Sequence, residues 1–189
     1  MKNNKMIAMM LTMSMLAAAF AGCLGGDDED DTPDWSISMA SDVSADFVES
    51  AWDPIIPNLN AGDMCDAIIS AMTKTDEREQ AVDFTRAYYT SSQGVIGGSG
   101  AASISNVADL NAEGTTIGVQ SGTTSDLYAQ DNLGAATISA YDDFPSVIAA
   151  LNNGDVHYAM GDAPVLSLEG TLMVTFSDEN FGMAVQGDS

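Results

Sequence analysis

Alternation of strand patterns with helix patterns is the feature of this 189-residue chain that most restricts its fold. Short apolar segments bounded by glycine and polar residues predict strands, and longer amphipathic segments between them predict helices. Strands separated by helices form βαβ units with parallel strands. The chain is therefore predicted to be α/β with mainly parallel sheets. The predicted strands are 65–70, 115–120, "ATISA" and "VHYAM", and the helices between them are "SDLYAQDNL" and "DFPSVIAALNNG".

An internal echo divides the pattern into two. Segments 56–68 and 148–160 share the frame I-x-x-L-N-x-G-D followed by a strand. In the first copy, Asp53 is the predicted N-cap, Pro54 the first helical residue and Gly62 the stop. Two related α/β lobes explain the echo, with chance recurrence as the alternative. Ligands of open α/β sheets bind beyond the carboxyl ends of the strands, so a cleft between the lobes is the expected site.

The N-terminus has the pattern of an export signal. Two lysines precede an apolar run over 6–21, and small residues come directly before Cys23. "AFAGC" resembles the lipobox of exported lipoproteins, in which cleavage before the cysteine lets its thiol be lipidated, although Phe20 stands at the usual leucine position. We therefore expect a signal peptide over 1–22 and an extracytoplasmic, membrane-anchored protein. An ordinary signal with an incidental cysteine is the alternative.

Acidic residues dominate the rest of the chain. The formal net charge is −23, from 28 acids and five Lys and Arg. This charge disfavours nucleic acid and anionic membrane surfaces as partners, and it is compatible with a surface adapted to high salt. The glycine- and acid-rich run after the cysteine favours an extended tether over 23–34. A calcium site is the alternative there, but the run lacks the ligand spacing with a turn glycine.

The sequence contains no recognisable catalytic or metal-binding pattern. His157 is the only histidine and Cys65 the only cysteine besides Cys23, too few for a zinc site. Segment 97–103, "GGSGAAS", does not have the G-x-S-x-G spacing of a nucleophile elbow. We therefore predict no enzyme, no cofactor and no metal, and we interpret Cys65 as a small buried apolar residue.

Cations that follow the predicted signal cluster within thirteen residues, as Lys74, Arg78 and Arg86. Arg78 is placed near the third position of a helix predicted to begin after Thr75, where its planar fork can bind a carboxylate. The hydroxyls of Ser70 and Thr73 and the helix N–H groups lie nearby in sequence, which indicates a pocket for an anionic group. The alternative is that Arg78 pairs with a surface acid. Arg86 is predicted to be structural and Lys74 to face solvent.

Several motifs together resemble the family 3 extracellular solute-binding proteins, the polar-amino-acid receptors of ABC importers. The resemblance covers most of 46–189. It implies a type II periplasmic-binding-protein-like fold, in which a hinge joins lobe 1 (35–92, with a return segment 182–189) to lobe 2 (93–181). The motifs are "WDPIIPNLNAGDMCDAIISAMTKTDEREQAVDFTRAYYTSSQ", "IGVQSGTTSDLYAQDNL", "DDFPSVIAALNNGDVHYAMGDAPV" and "FGMAVQGDS".

The resemblance also implies a role for each matching position. Arg78 would bind the ligand α-carboxylate, with Thr73 and backbone N–H groups around Ala71, and Asp162 would bind the α-ammonium. A zwitterion needs one fixed cation, one fixed anion and apolar cover. Further hydrogen bonds, contacts to the ligand side chain and apolar cover are implied for Thr123, Thr124, Gln120, Ser121 and Trp52.

The implied function is capture of an amino acid, or a similar small zwitterion, and its delivery to ABC permease subunits. Cleft closure would use a hinge near "YYTSSQGVIG" and a return strand near 172–184. Alternatives are a sensory or degenerate binding lobe of the same fold and, further off, an enzyme such as a dehydratase.

Departures from the family pattern lie in the first lobe and at the C-terminus, where the chain stops at "GDS" and relatives continue into a helical region. Only "DWSISMASDVSA" stands where relatives carry a strand, an aromatic loop and a long helix, and Ala71 replaces a common glycine. An incomplete first lobe with an exposed apolar face is therefore expected.

Overall fold

Two five-stranded sheets form the framework of the protein in the computed structural model, which describes residues 6–10 and 45–187. Four α-helices and two 3-10 turns accompany them in the described ranges. The strands are β1 Met6–Met10, β2 Ala45–Glu49, β3 Ala67–Ile68, β4 Val82–Phe84, β5 Tyr89–Gly97, β6 Thr116–Gln120, β7 Thr137–Tyr141, β8 Tyr158–Asp162, β9 Leu172–Phe181 and β10 Ala184–Gln186. The helices are α1 Ile55–Ala61, α2 Thr124–Asn132, α3 Phe144–Asn153 and α4 Ala163–Glu169, and the 3-10 turns are Arg78–Gln80 and Val107–Leu110.

Each sheet belongs to one lobe. The first lobe has the order β2-β1-β3-β10-β4 and the second has β7-β6-β8-β5-β9. In each sheet four strands share one direction and one is reversed: β10 is antiparallel to β3 and β4, and β5 is antiparallel to β8 and β9. The predicted arrangement of two α/β lobes is confirmed. The sheets are mixed because the chain enters the second lobe on β5 and returns to the first on β10.

Helix caps follow the sequence signals closely in the second lobe. The Thr123 and Asp143 side chains accept hydrogen bonds from the N–H groups of Asp126 and Ser146 and so begin α2 and α3. α3 ends at Gly154 (φ 80°) and α1 ends at Gly62 (φ 71°), both left-handed. The frame shared by 56–68 and 148–160 is therefore a helix that stops at a left-handed glycine.

Two local predictions in the first lobe are wrong. Pro54, not Asp53, is the N-cap of α1, because the first turn is closed by the backbone bond from the Ile55 N–H to the Trp52 carbonyl at 3.1 Å. The helix predicted after Thr75 is only a 3-10 turn over Arg78–Gln80. β4 begins at Val82, which leaves no room for a longer helix.

The hydrophobic core is divided between the lobes. In the first lobe Ile55, Leu59, Ile68 and Met72 pack together with Cys65, which is buried as predicted. In the second lobe two apolar clusters are buried, one of which includes α3 residues and the other α2 residues. The described part of the first lobe contains a single α-helix, and Phe47 on the outer strand β2 is 53% exposed. Such exposure fits the expected incomplete first lobe.

Part of the predicted signal peptide forms a strand in the structure. β1 pairs in parallel with β2, with Met6 opposite Ala45 and Met10 opposite Glu49, and on its other side with β3. Incorporation into the sheet and removal as a signal are alternatives for this one segment, and its removal stays a prediction. The rest of the signal, the predicted lipidation site Cys23 and the tether 23–34 lie outside the described residues. Among the described helices, none is long and apolar enough to cross a membrane.

Candidate functional site

Arg78 lies where the two lobes meet. Its Nη1 donates to the Thr73 carbonyl at 2.9 Å, within the first lobe, and its Nη2 donates to the Gly122 carbonyl of the second lobe at 3.2 Å. The Arg78 guanidinium carbon is 5.3 Å from the Trp52 ring centre, within the range of a cation–π contact. The Trp52 indole also donates to the Gly122 carbonyl at 3.2 Å. Arg78 and Trp52 of the first lobe therefore hold one backbone oxygen of the second.

Desolvation acts on this guanidinium. Burial lowers the pKa of Arg78, and the negative charges of Glu179 and Asp162 oppose that shift. Its hydrogen bonds go to carbonyls of both lobes, so pairing with a surface acid does not describe its position. The other two clustered cations differ: Lys74 lies 3.8 Å from the Glu79 carboxylate, and Arg86 is exposed. Of the three, Arg78 alone reaches the cleft.

The loop before Arg78 carries unusual backbone and an unsatisfied hydroxyl. Ala71 has a left-handed φ of 52°, a conformation that the glycine common at this position would adopt without strain. Its N–H donates to the Tyr88 phenol oxygen at 3.0 Å. The buried Ser70 hydroxyl has no hydrogen-bond partner in the described part of the chain. Strain and unpaired buried polar groups concentrate at functional sites, so this loop is a candidate for ligand contact.

Asp162 ends β8 on the second lobe, at the carboxyl end of the strand. Desolvation raises the pKa of Asp162 to about 7, although hydrogen bonding to Gln93 and the charge of Arg78 act in the opposite direction. The Gln93 side-chain nitrogen donates to Asp162 Oδ1 at 2.7 Å. A carboxyl with this pKa gains from any cation placed against it.

A chain of buried polar side chains leads away from Asp162. The Gln93 amide also donates to the Thr124 hydroxyl at 3.2 Å, and that hydroxyl donates to Glu179 Oε2 at 3.2 Å. The Ser125 hydroxyl donates to Gln93 Oε1. Gln93 is 2% exposed and Glu179 is 3% exposed. Both are side chains of the strands β5 and β9 that connect the lobes.

Sequence reasoning missed Gln93, Glu179 and Tyr88. Gln93 carried a signal, because it is a polar residue directly before the apolar run "GVIG" in the predicted hinge. Glu179 carried none, since it is one of 28 acidic residues. Tyr88 was inside the hinge segment without a role of its own.

The remaining predicted residues make hydrogen bonds or backbone contacts within the protein. Thr123 uses its hydroxyl to accept from the Asp126 N–H and to donate to the Gln120 carbonyl at 2.7 Å, so it serves as a helix cap. Gln120 is buried, with its side-chain nitrogen 3.4 Å from the Asp142 carbonyl. Thr73 is buried and bridges Phe181. Contact of any of these residues with a ligand stays a prediction.

A cavity of about 270 Å³ lies beside Arg78, between the lobes. Three of its lining residues, Trp52, Arg78 and Ser121, were expected at the cleft, and α1 adds apolar residues, but Asp162 does not line it. A larger cavity of about 420 Å³ lies along β5 and α4, and none of its lining residues is Asp, Glu, Lys, Arg or His. Charge recognition therefore belongs to the smaller cavity. Its lining residues are Trp52, Asp53, Ile55, Ile56, Met72, Arg78, Ser121 and Gly122.

Possible metal ligands are scattered over the part of the chain that the structure describes. In the described ranges no cluster of three or more His, Cys, Asp or Glu side chains could hold a metal ion. His157 is exposed, and its Nδ1 accepts from the Thr116 N–H at 3.1 Å, next to β6.

Comparison with known proteins finds relatives that are named for binding amino acids. The "Probable histidine-binding protein" of Neisseria gonorrhoeae is 29% identical over 163 residues, which are 80% of this chain and 60% of that protein. The "ABC transporter arginine-binding protein 1" of Escherichia coli K12 is 35% identical over 121 residues, which are 64% of this chain and 48% of that protein. The chain thus spans about half of the length of these curated relatives.

A solved structure matches nearly the whole chain. It is an ancestral amino acid-binding protein described as a precursor of cyclohexadienyl dehydratase, with a TM-score of 0.77, 26% identity and coverage of 98% of this chain and 83% of that one. The family model of the bacterial extracellular solute-binding proteins, family 3, matches residues 36–140. With the two-lobed α/β fold, this match shows that the chain belongs to the bacterial extracellular solute-binding proteins of family 3.

Proposed function

We propose that the protein captures a small zwitterion, an L-amino acid, between its lobes. The observation that carries this proposal is the position of Arg78, which donates to carbonyls of both lobes and lines the cavity between them, with the Asp162 carboxyl at the end of β8 on the second lobe as the group of opposite charge. An amino acid presents a carboxylate and an ammonium a few bonds apart, which matches such a pair. Each charge-assisted hydrogen bond contributes about 1.5 to 3 kcal/mol.

Ligand capture changes the contacts that Arg78 makes. The Gly122 carbonyl, which now accepts from Arg78 and Trp52, gives way to the ligand carboxylate. The unpaired Ser70 hydroxyl and the Thr73 segment supply further donors, and the Ala71 N–H becomes available when Tyr88 withdraws its phenol oxygen. On the other lobe the ligand ammonium replaces the proton that the raised pKa of Asp162 holds near neutral pH.

The transport role is supported by the relatives. The relatives reported above are named for amino-acid binding, and the one from Escherichia coli also for an ABC transporter. We therefore propose that the loaded protein delivers its ligand to ABC permease subunits, outside the cytoplasm and held to the membrane by lipid at Cys23. Binding without catalysis is part of the proposal. Retention of both charged side chains at the cleft favours a working receptor over a degenerate lobe.

Substitution of Arg78 tests the proposal. The full chain should be stabilised against thermal unfolding by at least one member of a panel of the common L-amino acids, and Arg78→Ala should abolish that shift. Loss of a bidentate charged contact lowers affinity by about a hundredfold. Lys74→Ala is the matched control, because it removes a neighbouring cation that lies outside the cleft.

Two outcomes would contradict the proposal. If no amino acid of the panel shifts the unfolding temperature, the site does not bind this class. If Lys74→Ala reduces the shift as much as Arg78→Ala does, the effect comes from general charge and not from a bound carboxylate.

A further inference from the structure

Glu179 is a buried carboxylate that binding of a simple zwitterion leaves unused. It is 3% exposed, and its oxygens accept hydrogen bonds from the Ser177 hydroxyl at 2.6 Å and the Thr124 hydroxyl at 3.2 Å. Among the described residues, no Lys, Arg or His side chain forms an ion pair with it. Fully buried acids are rare unless a cation is paired with them. The charge of Glu179 acts on Arg78 without an ion pair, but the proposed function assigns Arg78 to the ligand carboxylate, so Glu179 still lacks a cation of its own.

Hydrogen bonds connect Glu179 to Asp162 through two intervening side chains. Its Thr124 partner accepts from Gln93, and Gln93 donates to Asp162. The next residues of β9 meet the loop that leads to Arg78: the Asn180 carbonyl accepts from the Lys74 N–H at 2.9 Å, and Phe181 bridges Thr73. Glu179 therefore lies between the Arg78 loop and the N-terminus of α2, and its charge acts on both Arg78 and Asp162.

A β-bulge turns the Glu179 side chain inward. Ser92 pairs with Asp178 and Gln93 pairs with Phe176, so Ser177 is an extra residue on β9. Ser177 has a left-handed φ of 54°, an uncommon conformation for serine. Just before the bulge Val174 and Phe176 are more buried than Thr175, and after it Glu179 and Phe181 are the buried residues. Bulges beside binding sites re-aim side chains in this way.

The balance between the charges of the protein and those of the ligand indicates the class of ligand. The buried network beside Arg78 couples one cation, Arg78, to two carboxylates, Asp162 and Glu179. A zwitterion adds no net charge and leaves one desolvated carboxylate without compensation. We propose that Glu179 is a specificity-determining residue that selects an amino acid whose side chain carries a second positive charge, an ammonium or a guanidinium. This inference rests on the proposed function and concerns the same site.

Matched pairs of ligands test the inference on the full chain by isothermal titration calorimetry. L-arginine and L-citrulline have nearly the same shape and differ in side-chain charge, as L-lysine and L-norleucine do. In the wild type the charged member of at least one pair should bind about thirtyfold more tightly or better, as expected for a buried charge pair. In Glu179→Gln that ratio should fall to about threefold or less, the range of exposed charge effects.

Glu77→Gln is the control, since Glu77 also acts electrostatically on Arg78 but is exposed. It should keep the wild-type ratio. A neutral member that binds as tightly as its charged partner in the wild type would overturn the inference and leave amino-acid binding intact, whether or not Glu179→Gln folds. An unchanged ratio in a folded Glu179→Gln variant would also overturn it. If neither pair nor any common L-amino acid binds, the proposed function fails and the inference fails with it.

Discussion

Asp162 couples the site to pH at the level of a single residue. Its pKa is raised from 3.8 to about 7, chiefly by desolvation. Between pH 4 and pH 7, therefore, the folded protein holds a proton on this carboxyl that the unfolded chain has lost. The contribution of this bound proton to the unfolding free energy is fully present below pH 4 and is lost as pH rises through 7. It amounts to about 4 kcal/mol at most.

Substitution of this residue should remove the pH effect. We expect the unfolding free energy of the wild type to fall more steeply between pH 4.5 and 8 than that of Asp162→Asn, measured by urea denaturation at each pH. The exposed Asp155→Asn should follow the wild type. Parallel curves for wild type and Asp162→Asn would show that burial does not hold a proton on this carboxyl.

In the candidate site, the sequence indicated the charged residues Arg78 and Asp162 better than the polar residues that connect to them. Arg78 was conspicuous because only five cations occur in the chain, and the resemblance indicated Asp162. Gln93 and Glu179 depend on the register of β5 against β9 and on the extra residue Ser177. A one-residue shift in register exchanges the faces of a strand, and nothing in the local sequence fixes where the shift falls.

At the level of elements, the two glycine-stopped helices give an independent test of the internal echo. Gly62 and Gly154 end α1 and α3 with φ of 71° and 80°, and a Cβ added at either would meet no atom within 4 Å. Replacement by alanine therefore changes backbone strain and not packing. A left-handed alanine costs about 1 to 2 kcal/mol.

Gly62→Ala and Gly154→Ala should each lower the unfolding free energy by about 1 kcal/mol. Chemical denaturation of the two variants measures the loss. Gly134→Ala is the control, because its Cβ also meets no atom and its φ is not left-handed, so it should be neutral or slightly stabilising. A loss confined to one of the two helices would mean that the shared frame does not reflect a shared stop.

Elements were predicted well where caps lie in the local sequence and less well where tertiary structure decides. Thr123 and Asp143 begin α2 and α3 through side-chain hydrogen bonds, and Gly154 ends α3 through its left-handed backbone. Around Arg78 the early start of β4 cuts the predicted helix to a 3-10 turn, although Thr75 still accepts from the Arg78 N–H at 3.2 Å. Strand pairing across the lobe, not helix propensity, ended that element.

On the scale of the whole molecule, the first lobe depends on a segment that the sequence marks for removal. β1 lies between β2 and β3 and is bonded to both, whereas the second lobe uses only strands from 89 onward. Cleavage before Cys23 would take β1 away. The backbone groups of β2 and β3 that face it would then lose their partners, and an unpaired edge is less protected.

Hydrogen exchange on two forms of the protein should show this difference. Compared with the full chain, protein cleaved before Cys23 should exchange faster at the amides of β2 and β3, while the amides of β6 and β8 remain equally protected because the second lobe keeps every strand. Intact-mass measurement identifies which form each sample contains. Equal protection of β3 in both forms would mean that a segment after Cys23 takes the place of β1 once the signal is removed. The first lobe would then form its sheet without the N-terminal strand.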